Sequence, residues 1–270
     1  MSIKLGVIGF GNIAKAIITP LLEQSILQPE EIIFLVNSKE SFENIKKNYR
    51  YKINIYHLNS IEANTVWNCP IKLLAVKPQQ LKNIKELSFN KTNKDILISI
   101  LAGVSLKTLE TNFPKHNCIR AVTNIPITIG QGLTGIAWNN DIDNENKIFI
   151  KKIFENSGKV FEFSEDYLDI FLALTSSAPA IIALIIEALG DGGLSGGLTK
   201  KLSEELVIDM IYGTVLMMKN LDVSPSELRN MVTSPAGTTV AALRILENKG
   251  FRSALIESII GAMNKSKEFR

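Results

Sequence analysis

Short apolar runs alternate with helix-spaced segments in the first part of the chain, and then the short runs stop. Residues 3–8, 32–36, 53–56, 73–76, 96–100, 118–122, 133–138 and 160–163 are each too brief for a helix and read as strands. After the first of them, Ile13, Ala14, Ile17, Ile18, Leu21 and Leu22 recur at helical spacing and mark one apolar face. Residues 144–156 also read as a helix. Alternation of this kind predicts parallel βαβ units. Beyond Ser164 only helical patterns remain, with breaks expected at 190–197, 220–224, 233–234 and Gly250. Thr199 is placed to cap a helix over 200–219, and Ser224-Pro225-Ser226-Glu227 has the form of a capping box with proline at the first helical position. Ser234 before Pro235 suggests one further helix start. The expected architecture is α/β over 1–164 followed by an all-helical domain over 165–270.

The segment 170–190, IFLALTSSAPAIIALIIEALG, is apolar on every side, and Glu187 is its one charge. Its length would span a bilayer. Pro179, Ser176 and Ser177 interrupt it, and no block of Lys or Arg flanks it to set an orientation. We therefore read it as a buried helix of a soluble protein, with no membrane partner. One helix buried all round needs more neighbours than the short segment after it supplies, which points to a second subunit.

Composition narrows the classes further. The chain has 270 residues, 46% of them hydrophobic and 21% charged, enough for a sizeable core. A net charge of +3, from 30 basic and 27 acidic residues, argues against a nucleic-acid surface. Two cysteines, Cys69 and Cys118, make no disulfide framework and are expected as core thiols. The N-terminus enters a strand at once, leaving no room for a signal peptide, so the expected location is the cytoplasm. The two histidines, His57 and His116, lack metal-ligand spacing, no metal site is expected, and no nucleophile-elbow sequence is present.

The first strand runs into Gly9-Phe10-Gly11-Asn12-Ile13-Ala14, a G-x-G-x-x-A between strand and helix. That context is what a dinucleotide fingerprint requires. Gly9 permits the tight turn, Gly11 lets backbone approach a pyrophosphate, and Ala14 lets helix pack on strand. The helix N-terminus then offers free N–H groups and a positive dipole end to phosphates. The second strand ends in Asn37-Ser38-Lys39, where an NAD site would carry a carboxylate for the ribose hydroxyls. A carboxylate would repel a 2′-phosphate, whereas Asn, Ser and Lys can bind one, so NADP(H) is expected over NAD(H), with NADH still possible. The alternative is that Asn37 and Ser38 only cap the next helix. Lys77-Pro78 turns the chain at the carboxyl edge of the sheet, where ligands bind in open α/β sheets, and Ala102-Gly103-Val104 leaves the following strand in the same way. Near the other end, Ser234-Pro235-Ala236-Gly237-Thr238-Thr239 could converge N–H groups and threonine hydroxyls on a carboxylate or phosphate; the alternative is an ordinary cap rich in small residues.

Together these motifs resemble the pyrroline-5-carboxylate reductase family over nearly the whole chain. The resemblance rests on Gly9-x-Gly11-Asn12-x-Ala14, Ala75-Val76-Lys77-Pro78-Gln79 and Ser99 with Ala102-Gly103-Val104. It extends through Arg120 with Asn124 and Pro126, Pro179-Ala180, Glu187-Ala188-Leu189 with Asp191 and Gly193, and Val232-Thr233-Ser234-Pro235 with Gly237-Thr238-Thr239. It implies an N-terminal Rossmann domain and a C-terminal helical dimerisation domain, in dimers assembled into larger rings. The implied activity is NAD(P)H-dependent reduction of 1-pyrroline-5-carboxylate to L-proline. The implied substrate-binding residues are Ser234, Gly237, Thr238 and Thr239. The implied cofactor site adds Ala75, Val76, Lys77, Pro78, Ala102, Gly103 and Asn124 to the residues of the first two loops. No catalytic residue is assigned: a protonated cyclic imine is already electrophilic, and proximity can supply roughly 7–11 kcal/mol of the barrier.

This chain departs from the family pattern at Ile125, at Ala178 and Ile181, at Leu172 where many members carry threonine, and at Ala236, which replaces a common glycine. Two other readings follow from these changes: a reductase of a different cyclic imino acid, or a weakly catalytic NADP-binding oligomer.

Overall fold

The computed structural model describes residues 4–85, 95–138 and 142–268. Its strands are β1 (Leu5–Ile8), β2 (Ile32–Val36), β3 (Asn54–His57), β4 (Ile71–Leu74), β5 (Asp95–Ser99), β6 (His116–Thr123), β7 (Gly132–Trp138) and β8 (Gly158–Glu162). They form one sheet in the order β3-β2-β1-β4-β5-β6-β7-β8. β3 through β6 are mutually parallel, β7 runs antiparallel to β6, and β8 is parallel to β7. Every residue of β1, β2 and β4 is buried, as expected for strands covered on both faces. Chain order reverses between β1 and β4, and at such a switch point a crevice opens at the carboxyl ends of the strands.

The helices that cover this sheet are α1 (Asn12–Glu23), α2 (Lys39–Asn48), α3 (Leu81–Lys85), α4 (Leu106–Asn112) and α5 (Asn144–Glu155). α1 buries Ala14, Ile17, Ile18, Leu21 and Leu22, the face read from the sequence. The expected strands all appear among the described residues, with shifted ends; Ile3 lies outside those residues. The largest shift is at β4, which spans Ile71–Leu74 and leaves Ala75 and Val76 in the loop beyond it. Cys69 and Cys118 are buried free thiols.

Then follow α6 (Leu168–Leu172), a π-turn at Ala173–Ser177, α7 (Ala178–Ser195), α8 (Lys200–Leu221), α9 (Pro225–Met231), α10 (Thr238–Asn248) and α11 (Phe251–Lys267). Thr199 caps α8 through its hydroxyl, and the Ser224–Glu227 capping box forms at α9. Two expected boundaries are corrected. α7 does not break at Gly190 but continues to Ser195. The glycines serve close packing there: a Cβ on Gly193 would stand 2.6 Å from Ser203 Oγ of α8, and one on Gly190 would stand 3.2 Å from Glu204 Cγ. α10 starts at Thr238, not after Ser234, because 234–237 are taken up by a turn closed by Gly237 N–H to Ser234 O.

By contacts the chain divides into two compact units, Met1–Ser176 with Ala262–Arg270, and Ser177–Gly261. The C-terminal residues of the first unit are anchored by a buried polar cluster. Arg120, fully buried on β6, pairs with Glu165 at 3.0 Å and Asp169 at 3.3 Å, and Ser266 donates to the same Asp169 oxygen at 2.9 Å. In the second unit, α7 packs on α8 yet leaves Ile182, Leu184, Leu189 and Leu194 exposed, and α8 leaves Leu206, Ile208 and Met210 exposed. The helix expected to be buried on all sides is thus largely uncovered within a single chain. By length and composition alone, the run Glu165–Ser195 is apolar enough to cross a membrane.

Candidate active site

A cleft of roughly 270 Å³ opens at the switch point between β1 and β4. Its lining includes Gly9, Phe10 and Gly11 after β1, Asn37, Ser38 and Ser41 after β2, and Ala75, Val76, Lys77 and Gln80 after β4. Gly9 has φ +91°, and a Cβ there would stand 2.6 Å from Ala75 O, so both conformation and space demand glycine. Gly11 differs: it has φ −81°, and a Cβ on it would meet nothing within 4 Å. The protein itself does not require glycine at Gly11; a group lying against the backbone there would. Gly11 is also the N-cap of α1 and provides no side-chain cap, so the first-turn N–H groups remain available to an anion. The residues present therefore fit a dinucleotide pyrophosphate.

Ser38 plays the capping part considered for it, accepting from Ser41 N at 3.0 Å while its hydroxyl donates to Ser41 Oγ at 2.7 Å. It lines the cleft as well, so the two readings of Ser38 are compatible. Ser41 and Gln80 were not among the candidate residues. Ser41 lies one helical turn beyond Ser38, and Gln80 holds the post-β4 turn by accepting from Lys77 N at 3.2 Å. No carboxylate lines this cleft among the described residues.

Other candidates stand elsewhere. Asn12 faces a second cleft beside α1, and Ile13 packs partly buried on the core. Lys39 opens α2 and Pro78 opens the turn Pro78–Gln80. Ala102 and Gly103 follow β5, Gly103 with φ +73°. Asn124 is buried just after β6. Its Oδ1 accepts from Leu133 N at 2.8 Å, and its Nδ2 donates to Thr175 O at 3.1 Å.

In the second unit, Ser234–Gly237 forms a turn with Ala236 at φ +58°. Gly237 is the N-cap of α10 and contributes no side chain, so the N–H groups that begin with Thr238 and Thr239 are uncapped by side chains. A Cβ on Gly237 would stand 2.5 Å from Ser234 Oγ and 3.1 Å from Ser234 O, so the hydroxyl would have to turn away.

The largely parallel sheet, the glycine turn at its switch point and the bare helix N-terminus are those of a dinucleotide-binding domain, and the family it matches makes it that of an oxidoreductase. Residues 4–103 match the family described as NADP oxidoreductase, coenzyme F420-dependent, and residues 165–269 match that described as pyrroline-5-carboxylate reductase dimerisation. The chain is 37% identical to the pyrroline-5-carboxylate reductase of a Synechocystis strain, covering 99% of this chain and 98% of the relative. Pyrroline carboxylate reductase of Plasmodium falciparum, solved with NADP bound, superposes with a TM-score of 0.82 at 29% identity, covering 99% of this chain and 98% of that one. A pyrroline-5-carboxylate reductase from Coxiella burnetii superposes at 0.85 and 29% identity, covering 100% and 99%. The chain belongs to the pyrroline-5-carboxylate reductase family.

Proposed function

We propose that the protein reduces 1-pyrroline-5-carboxylate to L-proline, the last step of proline biosynthesis, using NADPH. The observation that carries the cofactor half is Gly11, a glycine whose missing side chain leaves open space in the cleft. Gly9 through Ile13 would hold the pyrophosphate, and Ala75, Val76, Lys77, Pro78, Ala102 and Gly103 would surround the nicotinamide, the Asn124 side chain being engaged instead by Leu133 N and Thr175 O. Bound there, the reduced dinucleotide supplies a hydride. The turn at Ser234, with Gly237, Thr238 and Thr239, would hold the substrate carboxylate on uncapped N–H groups and hydroxyls. Holding the two reactants in place is the protein's main contribution, and solvent can supply the proton to the amine.

Preference for NADPH over NADH is supported by Asn37, Ser38 and Ser41 in the cleft, by Lys39 just beyond it, and by the lack of a carboxylate among its described lining residues. The domain assignment follows: 1–164 for the cofactor, 165–270 for dimerisation and substrate. The exposed apolar faces of α7 and α8 are covered, on this reading, by a second copy of the chain and not by lipid, in a cytoplasmic homodimer that can assemble into a ring. Nucleic acid has no part in it.

The test is NADPH oxidation followed by its near-ultraviolet absorbance, with and without pyrroline-5-carboxylate, and with proline assayed as product. Substrate-dependent oxidation with matching proline is expected. NADPH binding without oxidation would instead favour a different cyclic imino acid or a weakly catalytic oligomer. Comparison of Michaelis constants for NADPH and NADH tests the preference, and light scattering showing a stable monomer would count against the dimer.

A further inference from the structure

We propose that Asn124 is a positioning residue for hydride transfer, acting through the π-turn Ala173–Ser177 and not through a contact of its side chain with the cofactor; this rests on the reductase reading above. Asn124 occupies the N-cap position of the short turn Ile125–Ile129, where asparagine ordinarily caps its own helix. Here it makes no such cap bond. Its side chain is spent on tertiary bonds: Oδ1 accepts from Leu133 N at 2.8 Å and Nδ2 donates to Thr175 O at 3.1 Å.

The carbonyl it serves has a specific need. In a continuing α-helix Thr175 O would accept from residue 179, and Pro179 has no N–H. The helix is opened there into a π-turn, a feature common at functional sites. A second bond fastens the same two segments, since Ser176 Oγ donates to Thr123 O at 3.0 Å. Thr123 is the last residue of β6, and β6 runs parallel to β5, β4 and β1. The π-turn is therefore fixed to the carboxyl edge of the sheet, the edge that carries Gly9 and Ala75. Both fastenings lie within the first compact unit. Loosening them shifts what the turn presents to that edge and leaves the glycine cradle, on other strands, untouched.

The test compares Asn124→Asp and Ser176→Ala with the wild type. Asn124→Asp keeps an acceptor for Leu133 N–H but turns an oxygen toward the Thr175 carbonyl. Ser176→Ala removes the second fastening and leaves Asn124 intact. Expected for both are a kcat lowered by about tenfold to a hundredfold, an NADPH Kd from fluorescence within about twofold of wild type, and a larger isotope effect with NADPH deuterated at the transferred position. Faster hydrogen exchange across Ala173–Ser177 should accompany these changes. A Kd that weakens in step with kcat in Asn124→Asp would show a direct cofactor contact and overturn the proposal. So would unchanged kcat, or unchanged exchange in the turn. A wild type that binds NADPH but does not reduce pyrroline-5-carboxylate would sink the substrate reading instead, with Kd and exchange still deciding the role of Asn124.

Discussion

The Ser157 hydroxyl donates to the Ala16 carbonyl at 2.8 Å, across 141 residues of sequence, because Pro20 cannot. Pro20 lies inside α1, four residues after Ala16, and has no N–H to complete the helical bond. Ser157 is fully buried just before β8 and supplies the missing donor. Ser157→Ala should cost about 0.5–1.5 kcal/mol by removing the donor to a part-buried carbonyl. In a Pro20→Ala background the cost should shrink, since the helix then supplies its own donor. Urea denaturation of the four proteins in this cycle measures the coupling; equal costs in both backgrounds would refute it.

Gly9 and Gly11 should separate folding from binding. Gly9→Ala forces a side chain into positive φ and against the Ala75 backbone, so it should destabilise by about 1–3 kcal/mol or more. The Cβ of Gly11→Val meets no protein atom within 4 Å and its φ is ordinary, so stability should stay within about 1 kcal/mol. NADPH binding should nonetheless be lost. Thermal melts with fluorescence titration check both, and tight NADPH binding by Gly11→Val would remove the pyrophosphate from this turn.

Ala236 carries a backbone strain that a glycine would not. Its φ of +58° is left-handed, and the preceding Pro235 suits the first central position of a type II turn. Ala236→Gly should stabilise the protein by about 1 kcal/mol. A lower melting temperature for this variant would contradict the turn geometry.

Cys118 should make the fold sensitive to alkali. Burial first, and Glu110 second, push its thiol up to about 12. An unfolded thiol titrates near ~8.5. Below that pH the contribution is fully present. Between the two values the unfolded chain releases a proton the native chain keeps, so stability falls as pH rises toward the folded pKa. Denaturation midpoints should drop over this window, and less steeply in Cys118→Ala. Equal slopes would exclude the thiol as a source.

Much of this was legible in the linear pattern. Strand positions, the amphipathic face of α1, the Thr199 cap and the Ser224 box are local, set by period and by neighbours within four residues. The Gly9-x-Gly11 turn was legible too, because its spacing forces one conformation between a strand and a helix. The boundaries expected at Gly190 and Ser234 fail for different reasons. The glycines of α7 serve close packing against Ser203 and Glu204 of α8, which periodicity does not show, whereas Ser234 begins a local turn closed by Gly237 N–H.

The sequence by itself determined the kind of elements, their order and the chemistry at the first glycine turn, since each follows from local backbone limits. Only the tertiary structure decided which distant groups complete them. It set Ser157 on Ala16, Asn124 on Thr175 and Ser266 on Asp169, because a carbonyl freed by proline or a buried carboxylate must find its partner wherever folding brings one.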